Sequence, residues 1–493
     1  MSEKKTAGFF DVAVIGGGVV GCAVLRELSR YRIRLVLLEK ESDLCEGVSK
    51  GNSGVIHAGF NVRTGSLKAR LNLAGLKSIY DLVSALHVPH QKTGKLVLVA
   101  EGDEGGGRKR LEELKAQGER NGTPGLEIVG PEAIRKIEPE VRGKWALYSP
   151  WTGIISPYEF TIALAECARW NGAEVRLGRK VTAVDSRPDR FLLSTSSGPV
   201  SARWVVNCAG LWADEVAGLA GPADFRIYPC KGEYLILDKA AGDILRMPVY
   251  PVPPLDESLL GIHLTPTMEG PVLLGPSGEY GNDKNDARST RPVMDTLKAE
   301  AFRMVPALGR FPVIHAYTGL RPKLDGPGTR GGQADFLVAE SERHPRWINI
   351  GGIESPGLTA APALAAMVAD MIGAKDDLRP KDDFEPGLPD RPRFARLADG
   401  ARAARTAADP DWGEMVCRCE HVTRAEVLAA LRNPFGANSL DAIKRRTRCG
   451  MGRCQGGFCT PRIIEILQAE GLKPEDITKR GGSSRLVFGR IKP

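Results

Sequence analysis

The chain has 493 residues, which is too long for one ordinary hydrophobic core and predicts two or three domains. Hydrophobic residues make up 42% of the chain and charged residues 26%, a globular composition that excludes a mainly disordered protein. The formal net charge of +8 is spread along the chain with no block of like charge and no basic stretch interleaved with aromatic residues, so nucleic-acid binding is not expected.

The N-terminal segment lacks the apolar core and cleavage site of a signal peptide, and no apolar stretch approaches the roughly 18 residues that a membrane span needs. We therefore expect a cytoplasmic protein with no membrane span of its own. Five of the ten cysteines are scattered, whereas the other five crowd the C-terminal part, namely Cys417, Cys419, Cys449, Cys454 and Cys459. Without a secretion signal, such a cluster predicts a metal or redox site before it predicts disulfides.

Apolar runs at 10–15 and 35–38 predict two strands. Between them, a glycine-rich turn is followed by helical spacing of apolar residues at 18–30, which predicts a helix. The turn holds Gly16, Gly18 and Gly21 in a G-x-G-x-x-G pattern. Gly16 would permit a tight turn, and Gly18 would let a pyrophosphate approach the backbone. Gly21 would let the helix pack closely on the strand. Glu39, at the end of the second strand, would accept hydrogen bonds from a ribose. The pattern predicts a dinucleotide-binding unit.

Further along the chain, strands and helices are mixed, which predicts an α/β protein. The predicted strands are 95–100, 174–176, 191–195, 204–207, 232–237 and 347–350, and the predicted helices are 67–86, 157–171 and 360–372. A helix pair is expected over 126–141. The segment 377–410 is rich in Asp, Pro and Arg and is expected to be a linker, and the tail 471–493 is expected to be loosely held.

Four segments follow the dinucleotide unit in a characteristic order: NSGVIHAG at 52–59, CKGEYLILDK at 230–239, TGLRP at 318–322 and GGIESPGLTAAPA at 351–363. Over about the first 375 residues the chain resembles the glycine oxidase and D-amino-acid oxidase superfamily of flavoproteins, and within it the glycerol-3-phosphate and L-2-hydroxyglutarate dehydrogenases and oxidases. The resemblance implies FAD as the cofactor. It also implies a Rossmann-like FAD-binding domain (1–84, 153–222 and 321–376) interleaved with an α+β substrate-binding domain (85–152 and 223–320).

The same resemblance implies cofactor contacts beyond the glycine-rich turn. Backbone N–H groups before the helix that starts near Ala360 would face the flavin and stabilise negative charge on its reduced form. The alternative is that these glycines form only turns and a helix cap. The further residues expected at the cofactor are Asn52, Ser53, Gly54, Val181, Ala209, Gly210, Gly352, Gly357, Leu358 and Thr359.

Two residues are expected to act on the substrate. His57 would take the hydroxyl proton, because imidazole titrates near neutral pH and the resemblance implies a place beside the flavin. The alternative for His57 is a structural role or a simple contact with FAD. Arg321 would hold an anionic group of the substrate with its guanidinium fork, and its alternative is a surface ion pair. Weaker candidates are Tyr250, His263, Lys231 and Arg63.

Glu354 departs from the glycerol-3-phosphate enzymes of this type, which carry a lysine at this place. A carboxylate there would repel a phosphate unless it points away or pairs with a cation. Glu354 thus weakens the assignment of a phosphate substrate. The resemblance still implies sn-glycerol 3-phosphate first, with L-2-hydroxyglutarate and an amino acid or opine as alternatives.

At the C-terminal end, Cys417 and Cys419 form C-x-C before one predicted helix, and Cys454 and Cys459 form C-x4-C before another. Four thiolates near helix N-termini can hold a [2Fe–2S] cluster, whereas a structural zinc site usually has paired knuckles of wider spacing. Residues 411–470 resemble the bacterioferritin-associated-ferredoxin-like [2Fe–2S] domain, in the form fused to anaerobic glycerol-3-phosphate dehydrogenase catalytic subunits. The resemblance implies these four cysteines as ligands and leaves Cys449 as a neighbour or an alternate ligand.

Together these features predict a dehydrogenase of a small anionic substrate. Electrons would leave the flavin through the cluster to a partner subunit or carrier, because direct reaction with oxygen needs no such relay. A non-enzymatic alternative is a redox-responsive, flavin-binding sensor.

Overall fold

The structure, a computed structural model, describes residues 8–102, 105–253, 261–327 and 334–489. The first seven residues of the predicted FAD-binding segment and the last four of the predicted tail lie outside the described residues.

Within this part of the chain, strands and helices alternate irregularly, as the mixed apolar patterns predict. The strands are β1 (Phe9–Ile15), β2 (Leu35–Leu38), β3 (Val55–Ile56), β4 (His90–Gln91), β5 (Lys95–Ala100), β6 (Glu127–Val129), β7 (Gly143–Ser149), β8 (Gly153–Ile155), β9 (Glu174–Arg176), β10 (Val181–Ser186), β11 (Phe191–Thr195), β12 (Val200–Asn207), β13 (Tyr228–Leu237), β14 (Val249–Pro251), β15 (Leu264–Pro266), β16 (Val272–Leu274), β17 (Glu279–Tyr280), β18 (Val313–Lys323), β19 (Leu337–Glu340), β20 (Trp347–Gly351), β21 (Met415–Cys417) and β22 (Val422–Thr423). The helices are α1 (Val19–Leu28), α2 (Leu67–Ala85), α3 (Gly107–Asn121), α4 (Pro131–Ile137), α5 (Pro157–Trp170), α6 (Ala213–Gly218), α7 (Arg291–Met304), α8 (Gly357–Gly373), α9 (Asp399–Ala408), α10 (Arg424–Leu431), α11 (Leu440–Thr447) and α12 (Cys459–Ala469).

The first sheet has the order β10-β11-β12-β1-β2-β9, with β20 joined to β12 and β19 joined to β20. Strand β1 runs parallel to both β2 and β12, and its apolar residues are buried on both faces of the sheet. Helix α1 packs against α5 and α8 over one of these faces. In open α/β sheets ligands bind at the carboxyl ends of the strands, and the glycine-rich turn lies at that end of β1. This confirms the predicted α/β class.

The second sheet has the order β17-β13-β16-β15-β14-β5-β7-β6, and β18 pairs with β13 along almost its whole length. Its own apolar cluster lies mainly between the strands and helices α4 and α7. This sheet brings residues of β13 and β18 opposite the carboxyl ends of the first sheet, where both line the same cavity.

The C-terminal module is formed by β21, β22 and helices α10, α11 and α12 around a separate small core. Val427, Ile443 and Ile463 contribute one buried side chain from each of the three helices. The predicted helical character of this module is confirmed.

The structure corrects three local expectations. Residues 126–141 do not form a helix pair, because Glu127–Val129 pairs with β7 as an edge strand and only Pro131–Ile137 is helical. The segment expected to be a linker contains helix α9, and its Arg391 pairs with Glu166 of α5 at 2.8 Å. The tail is anchored, since Ile477 is buried to 1% exposure in the core of the module.

No helix in the described ranges is long and apolar enough to cross a membrane.

Candidate functional site

A cavity of about 530 Å³ lies between the carboxyl ends of the first sheet and the face of the second. Most of the residues predicted to bind the cofactor or the substrate line it, although they come from segments far apart in the chain. These are Gly16, Gly18, Glu39, Asn52, Ser53, Gly54, His57, Ala209, Gly210, Arg321, Gly352, Gly357 and Leu358.

Three predicted cofactor residues do not line this cavity. Gly21 lies behind the turn, and Val181 belongs to the apolar cluster under the first sheet. Thr359 is fully buried, and its Oγ1 accepts a hydrogen bond from the backbone N–H of His57 at 2.9 Å. Thr359 therefore supports the loop of His57 from behind.

The glycine-rich turn leaves space where other residues would place side chains. Gly16 has φ +111°, and a Cβ there would lie 2.5 Å from the carbonyl oxygen of Cys208. A Cβ on Gly21 would lie 1.9 Å from the carbonyl oxygen of Gly16, so helix and turn meet backbone to backbone. At Gly18, which caps α1, the nearest atom to an added Cβ is Ser49 Oγ at 3.1 Å. Such a side-chain-free cradle at a helix N-terminus fits a pyrophosphate.

Glu39 closes one end of this cradle. Its two carboxylate oxygens accept hydrogen bonds from the backbone N–H groups of Gly17 at 2.5 Å and Glu41 at 2.8 Å. Burial raises the pKa of Glu39, and the two backbone N–H groups oppose that shift. The carboxylate is therefore fixed in orientation where it lines the cavity.

His57 lies in the cavity wall between the two sheets. Burial, followed by the positive charge of Lys95, lowers the pKa of His57 to about 3. Its Nε2 lies 3.2 Å from the hydroxyl of Ser355. A neutral imidazole that faces a cavity can accept a proton from a substrate hydroxyl.

Lys95, on β5, is only 3% exposed and lies beneath this wall. Its Nζ is 4.0 Å from the ring centroid of Tyr250 and 4.6 Å from that of Phe60. Within the described residues no hydrogen bond or ion pair joins this amine. Burial lowers the pKa of Lys95 to about 7.

Arg321, on β18, supplies a cation to the cavity. Its Nη2 donates to the carbonyl oxygen of Ser277 at 2.6 Å, and its buried Nε has no hydrogen-bond partner among the described residues. No carboxylate among the described residues pairs with this guanidinium. An unneutralised guanidinium in a cavity wall suits an anionic group of a ligand.

Glu354 does not present a free carboxylate to the cavity. Its Oε1 lies 2.8 Å from Nζ of Lys68 and 3.6 Å from Nζ of Lys323. Both lysines are buried, with exposures of 6% and 1%. The carboxylate is thus neutralised from inside the protein, which removes the objection that Glu354 would repel a phosphate.

The weaker substrate candidates separate into two groups. Tyr250 and His263 line the cavity, with their rings stacked at a centroid distance of 3.6 Å. Lys231 lies between Glu233 at 3.5 Å and Asp286 at 3.7 Å. Arg63 is exposed and does not line the cavity.

The predicted cluster ligands lie together at one end of the C-terminal module. The sulfur atoms of Cys419 and Cys454 are 3.8 Å apart, while Cys417 is in hydrogen-bond contact with Cys459 and Cys449. Those two thiols lower the pKa of Cys417. Two neighbouring pairs of thiols suit a cluster in which each of two irons takes two thiolates.

Cys449 is closer to this group than the sequence indicated, since it contacts Cys417 although it stands outside both cysteine motifs. Among the described residues no three His, Cys, Asp or Glu side chains converge on a position for a single metal ion.

Buried ion pairs hold the module against the FAD-binding region. Asp43, which is 2% exposed, accepts hydrogen bonds from Arg445 at 2.8 Å and Arg446 at 2.7 Å. Burial alone would raise the pKa of Asp43, but the two guanidinium groups hold it below its usual range. Arg453 makes a two-pronged contact with Asp238 of the second domain, at 2.7 and 2.9 Å.

Several residues of the site carried no recognisable sequence signal. Lys95 stands in an ordinary strand pattern, and nothing in the sequence brings Lys68 and Lys323 to Glu354. Arg480, from the tail, also lines the cavity. Folding alone brings these residues together.

Comparisons with known proteins match two separate families to this chain. The sequence model of the family "FAD dependent oxidoreductase" matches residues 11–371, and that of the "BFD-like [2Fe-2S] binding domain" matches residues 415–469. A glycerol 3-phosphate dehydrogenase from Caloramator mitchellensis is 37% identical over 487 residues, which cover 98% of this chain and 99% of that protein.

Two further comparisons cover about three quarters of the chain. The mitochondrial L-2-hydroxyglutarate dehydrogenase of Homo sapiens is 28% identical and is matched by 76% of this chain over 91% of its own length. The solved structure of L-alpha-glycerophosphate oxidase from Mycoplasma pneumoniae with FAD bound superposes with a TM-score of 0.71 at 27% identity, over 78% of this chain and all of that one.

Proposed function

Because the chain belongs to the FAD dependent oxidoreductase family and ends in a BFD-like [2Fe-2S] binding domain, we propose that it oxidises sn-glycerol 3-phosphate to dihydroxyacetone phosphate and passes the electrons to a partner protein. The enzyme class and the two cofactors, FAD and a [2Fe–2S] cluster, follow from the family. The substrate, the residue roles and the partner are the proposal.

The charge distribution in the cavity is the observation that supports an anionic substrate. Arg321 lines the cavity without a carboxylate partner among the described residues, while Lys68 and Lys323 neutralise Glu354. The net effect is a positive wall that can accept a phosphate. The likeness to a glycerol 3-phosphate dehydrogenase runs over 98% of the chain, including the cysteine module, and supports this substrate.

His57 would act as the base. His57 lines the cavity, and the Nε2 of its neutral imidazole can accept the proton of the substrate hydroxyl. Ser355 and the backbone contact with Thr359 would hold the ring in place.

The glycine-rich turn and the start of α8 would hold the cofactor. Bound FAD supplies the acceptor for the hydride of the substrate carbon. The backbone around Gly352 and Gly357 lines the cavity at the N-terminus of α8, where N–H groups favour negative charge.

L-2-hydroxyglutarate is the second candidate, because the human L-2-hydroxyglutarate dehydrogenase is similar over 76% of this chain. Its two carboxylates could use the same cations. This relative is similar over 76% of this chain and the glycerol 3-phosphate dehydrogenase over 98%, which is why glycerol 3-phosphate comes first.

The test is an anaerobic titration of the purified protein with glycerol 3-phosphate, L-2-hydroxyglutarate and a set of amino acids, following flavin absorbance. Stoichiometric bleaching by glycerol 3-phosphate alone is expected. Bleaching by L-2-hydroxyglutarate or an amino acid instead would reassign the substrate, and no bleaching by any of them would favour a redox-responsive sensor.

A further inference from the structure

The segment of residues 39–50, which we call the 39–50 loop, forms one wall of the cavity. Glu39 at its start and Ser49 near its end both line the cavity. On its inner side the loop is bound to the first turn of α1, because Oγ of Ser49 accepts a hydrogen bond from the backbone N–H of Val19 at 2.9 Å. The loop therefore runs from the carboxylate expected at the ribose to the helix terminus expected at the pyrophosphate.

On its outer side the same loop is bound by α11 of the cysteine module. Asp43 accepts hydrogen bonds from Arg445 and Arg446, and the carboxylate of Glu46 accepts a further one from Arg445. Asp43 and Arg445 are only 2% and 4% exposed, so solvent ions screen this contact little. Moving the loop away from α11 would leave buried charges without partners, which costs far more than the loss of a surface ion pair. The module thus fixes the position of the loop.

The tail of the module reaches the 39–50 loop at Ser42. Oγ of Ser42 donates a hydrogen bond to the carbonyl oxygen of Arg480 at 3.2 Å. The next residue, Gly481, has φ +85°, and a Cβ there would lie 1.7 Å from Oγ and 2.5 Å from Cβ of Ser42. The tail and the loop can meet here only because residue 481 has no side chain.

The tail is held in a defined turn at this contact. Nζ of Lys479 lies 2.9 Å from the carboxylate of Asp441 on α11, and the carbonyl oxygen of Lys479 accepts from the backbone N–H of Asp441 at 2.9 Å. The backbone N–H of Arg480 donates to Oγ of Ser484 at 2.9 Å. Arg480 is therefore placed by the module on one side and by the loop on the other.

The side chain of Arg480 brings a cation to the rim of the cavity, since it is exposed and yet lines the cavity. Within the part of the chain that the structure describes, no carboxylate pairs with it. In FAD the adenine follows the ribose on the side away from the pyrophosphate, which is beyond Glu39 and toward Ser42. A planar guanidinium stacks well on such an aromatic face. An interface that only joined the module to the first domain would need the ion pairs of Asp43 but no cation in the cavity.

We propose that the cysteine module completes the FAD site, with Arg480 covering the adenine end of the cofactor while α11 and Gly481 hold the 39–50 loop in place. Retention of FAD then depends on the module that also carries the cluster cysteines. The proposal requires FAD, which follows from the family, and is independent of the substrate.

The experiment measures the rate at which FAD leaves the full-length anaerobic holoenzyme after dilution, from the fluorescence of the released flavin. Arg480→Met keeps the apolar stem and removes the guanidinium, and we expect FAD to leave about fivefold to tenfold faster. Gly481→Ala forces the tail off Ser42 and should accelerate the release as well. Iron content and the visible spectrum of the cluster should stay at wild-type values in Arg480→Met, because no cysteine contact is changed.

Matched controls lie in the same turn. Arg485→Met removes an exposed arginine that does not line the cavity, and Gly482→Ala adds a Cβ at a residue with φ +55° where no described atom lies within 4 Å. Both controls should release FAD at the wild-type rate. Release at the wild-type rate in Arg480→Met, or an equal acceleration in Arg480→Met and Arg485→Met, would overturn the proposal.

Discussion

The cavity and the cysteine module differ in which parts of the amino acids form them. The glycine-rich turn of the cavity is formed by backbone, and an added Cβ at Gly16 or Gly21 would clash with a backbone carbonyl oxygen. In the module, the site consists of thiol side chains within residues 417–459 on a small core of its own. The first site depends on the absence of side chains and the second on their identity. Substitutions that add a side chain should therefore disturb the first site, and substitutions that replace a thiol should disturb the second.

The largest effect is expected from Gly21→Ala. The added Cβ would lie 1.9 Å from the carbonyl oxygen of Gly16, so the turn and α1 must separate and FAD should be lost from the purified protein. The matched control is Gly218→Ala at the end of α6, which does not line the cavity and where an added Cβ meets no atom of the described residues within 4 Å. Stoichiometric FAD in Gly21→Ala would show that the backbone cradle is not what holds the cofactor.

In the module, Cys454→Ser should abolish the cluster and leave FAD in place, because the sulfur of Cys454 is paired with that of Cys419. Cys449→Ser is the matched variant and should retain iron if Cys449 is only a neighbour. Analysis of iron and labile sulfide, together with the visible spectrum, measures the cluster content of both variants. Loss of the cluster in Cys449→Ser, with retention in Cys454→Ser, would reverse the assignment of the ligands.

His57→Asn tests a side chain that acts within the backbone-built cavity. Without a base, reduction of the flavin by substrate should slow by about 10²-fold to 10⁴-fold while FAD remains bound. Rapid anaerobic mixing measures this rate directly. Near-normal reduction with intact FAD would exclude His57 as the base.

Arg321→Met should weaken the binding of the anionic substrate by about tenfold to a hundredfold, since a charge-assisted contact contributes roughly 1.5–3 kcal/mol. Arg63→Met, at an exposed arginine away from the cavity, is the control. The concentration dependence of flavin bleaching gives the affinity. An unchanged affinity in Arg321→Met would place the anion-binding group elsewhere.

The smallest effect is expected at Lys95. Its pKa is lowered to about 7, so between that value and its usual pKa the unfolded chain holds a proton that the folded chain lacks, and stability rises with pH over this window. Lys95→Met should therefore melt at least about 2 °C above the wild type at pH 6.5, and the difference should shrink toward pH 10. Lys92→Met, at an exposed neighbour, should show no such trend. A difference independent of pH would mean that Lys95 is not buried as a cation.

The cradle could be predicted from sequence because its requirements are local. Continuous apolar runs predicted β2 and β5 with the bounds that the structure has. The three glycines of the cradle lie in one turn, so their spacing in the sequence was enough to identify it. The charge partners could not be predicted, since Lys68 and Glu354 are 286 residues apart and meet only after α2 and α8 pack together. The prediction of a helix pair over 126–141 was wrong for a related reason. The pairing of Glu127–Val129 with β7 outweighs the helical spacing of the apolar residues there.

A pair of stacked tyrosines shows the same limit. Tyr234 and Tyr317 stand in β13 and β18, and no spacing between them in the sequence could indicate that their rings stack. The linker was misjudged because its side chains pack through arginines, such as Arg391 on Glu166, and not through a periodic apolar face. Sequence patterns reveal faces that bury apolar residues, whereas paired charges become visible only in the folded chain.

The central claim is that the two sites work in series within one chain. Addition of one equivalent of glycerol 3-phosphate to the anaerobic holoenzyme, with the flavin followed by absorbance and the cluster by electron paramagnetic resonance, tests it most directly. We expect the flavin to bleach first and the signal of the reduced cluster to appear afterwards in the same sample. A bleached flavin with a cluster that stays oxidised would contradict it.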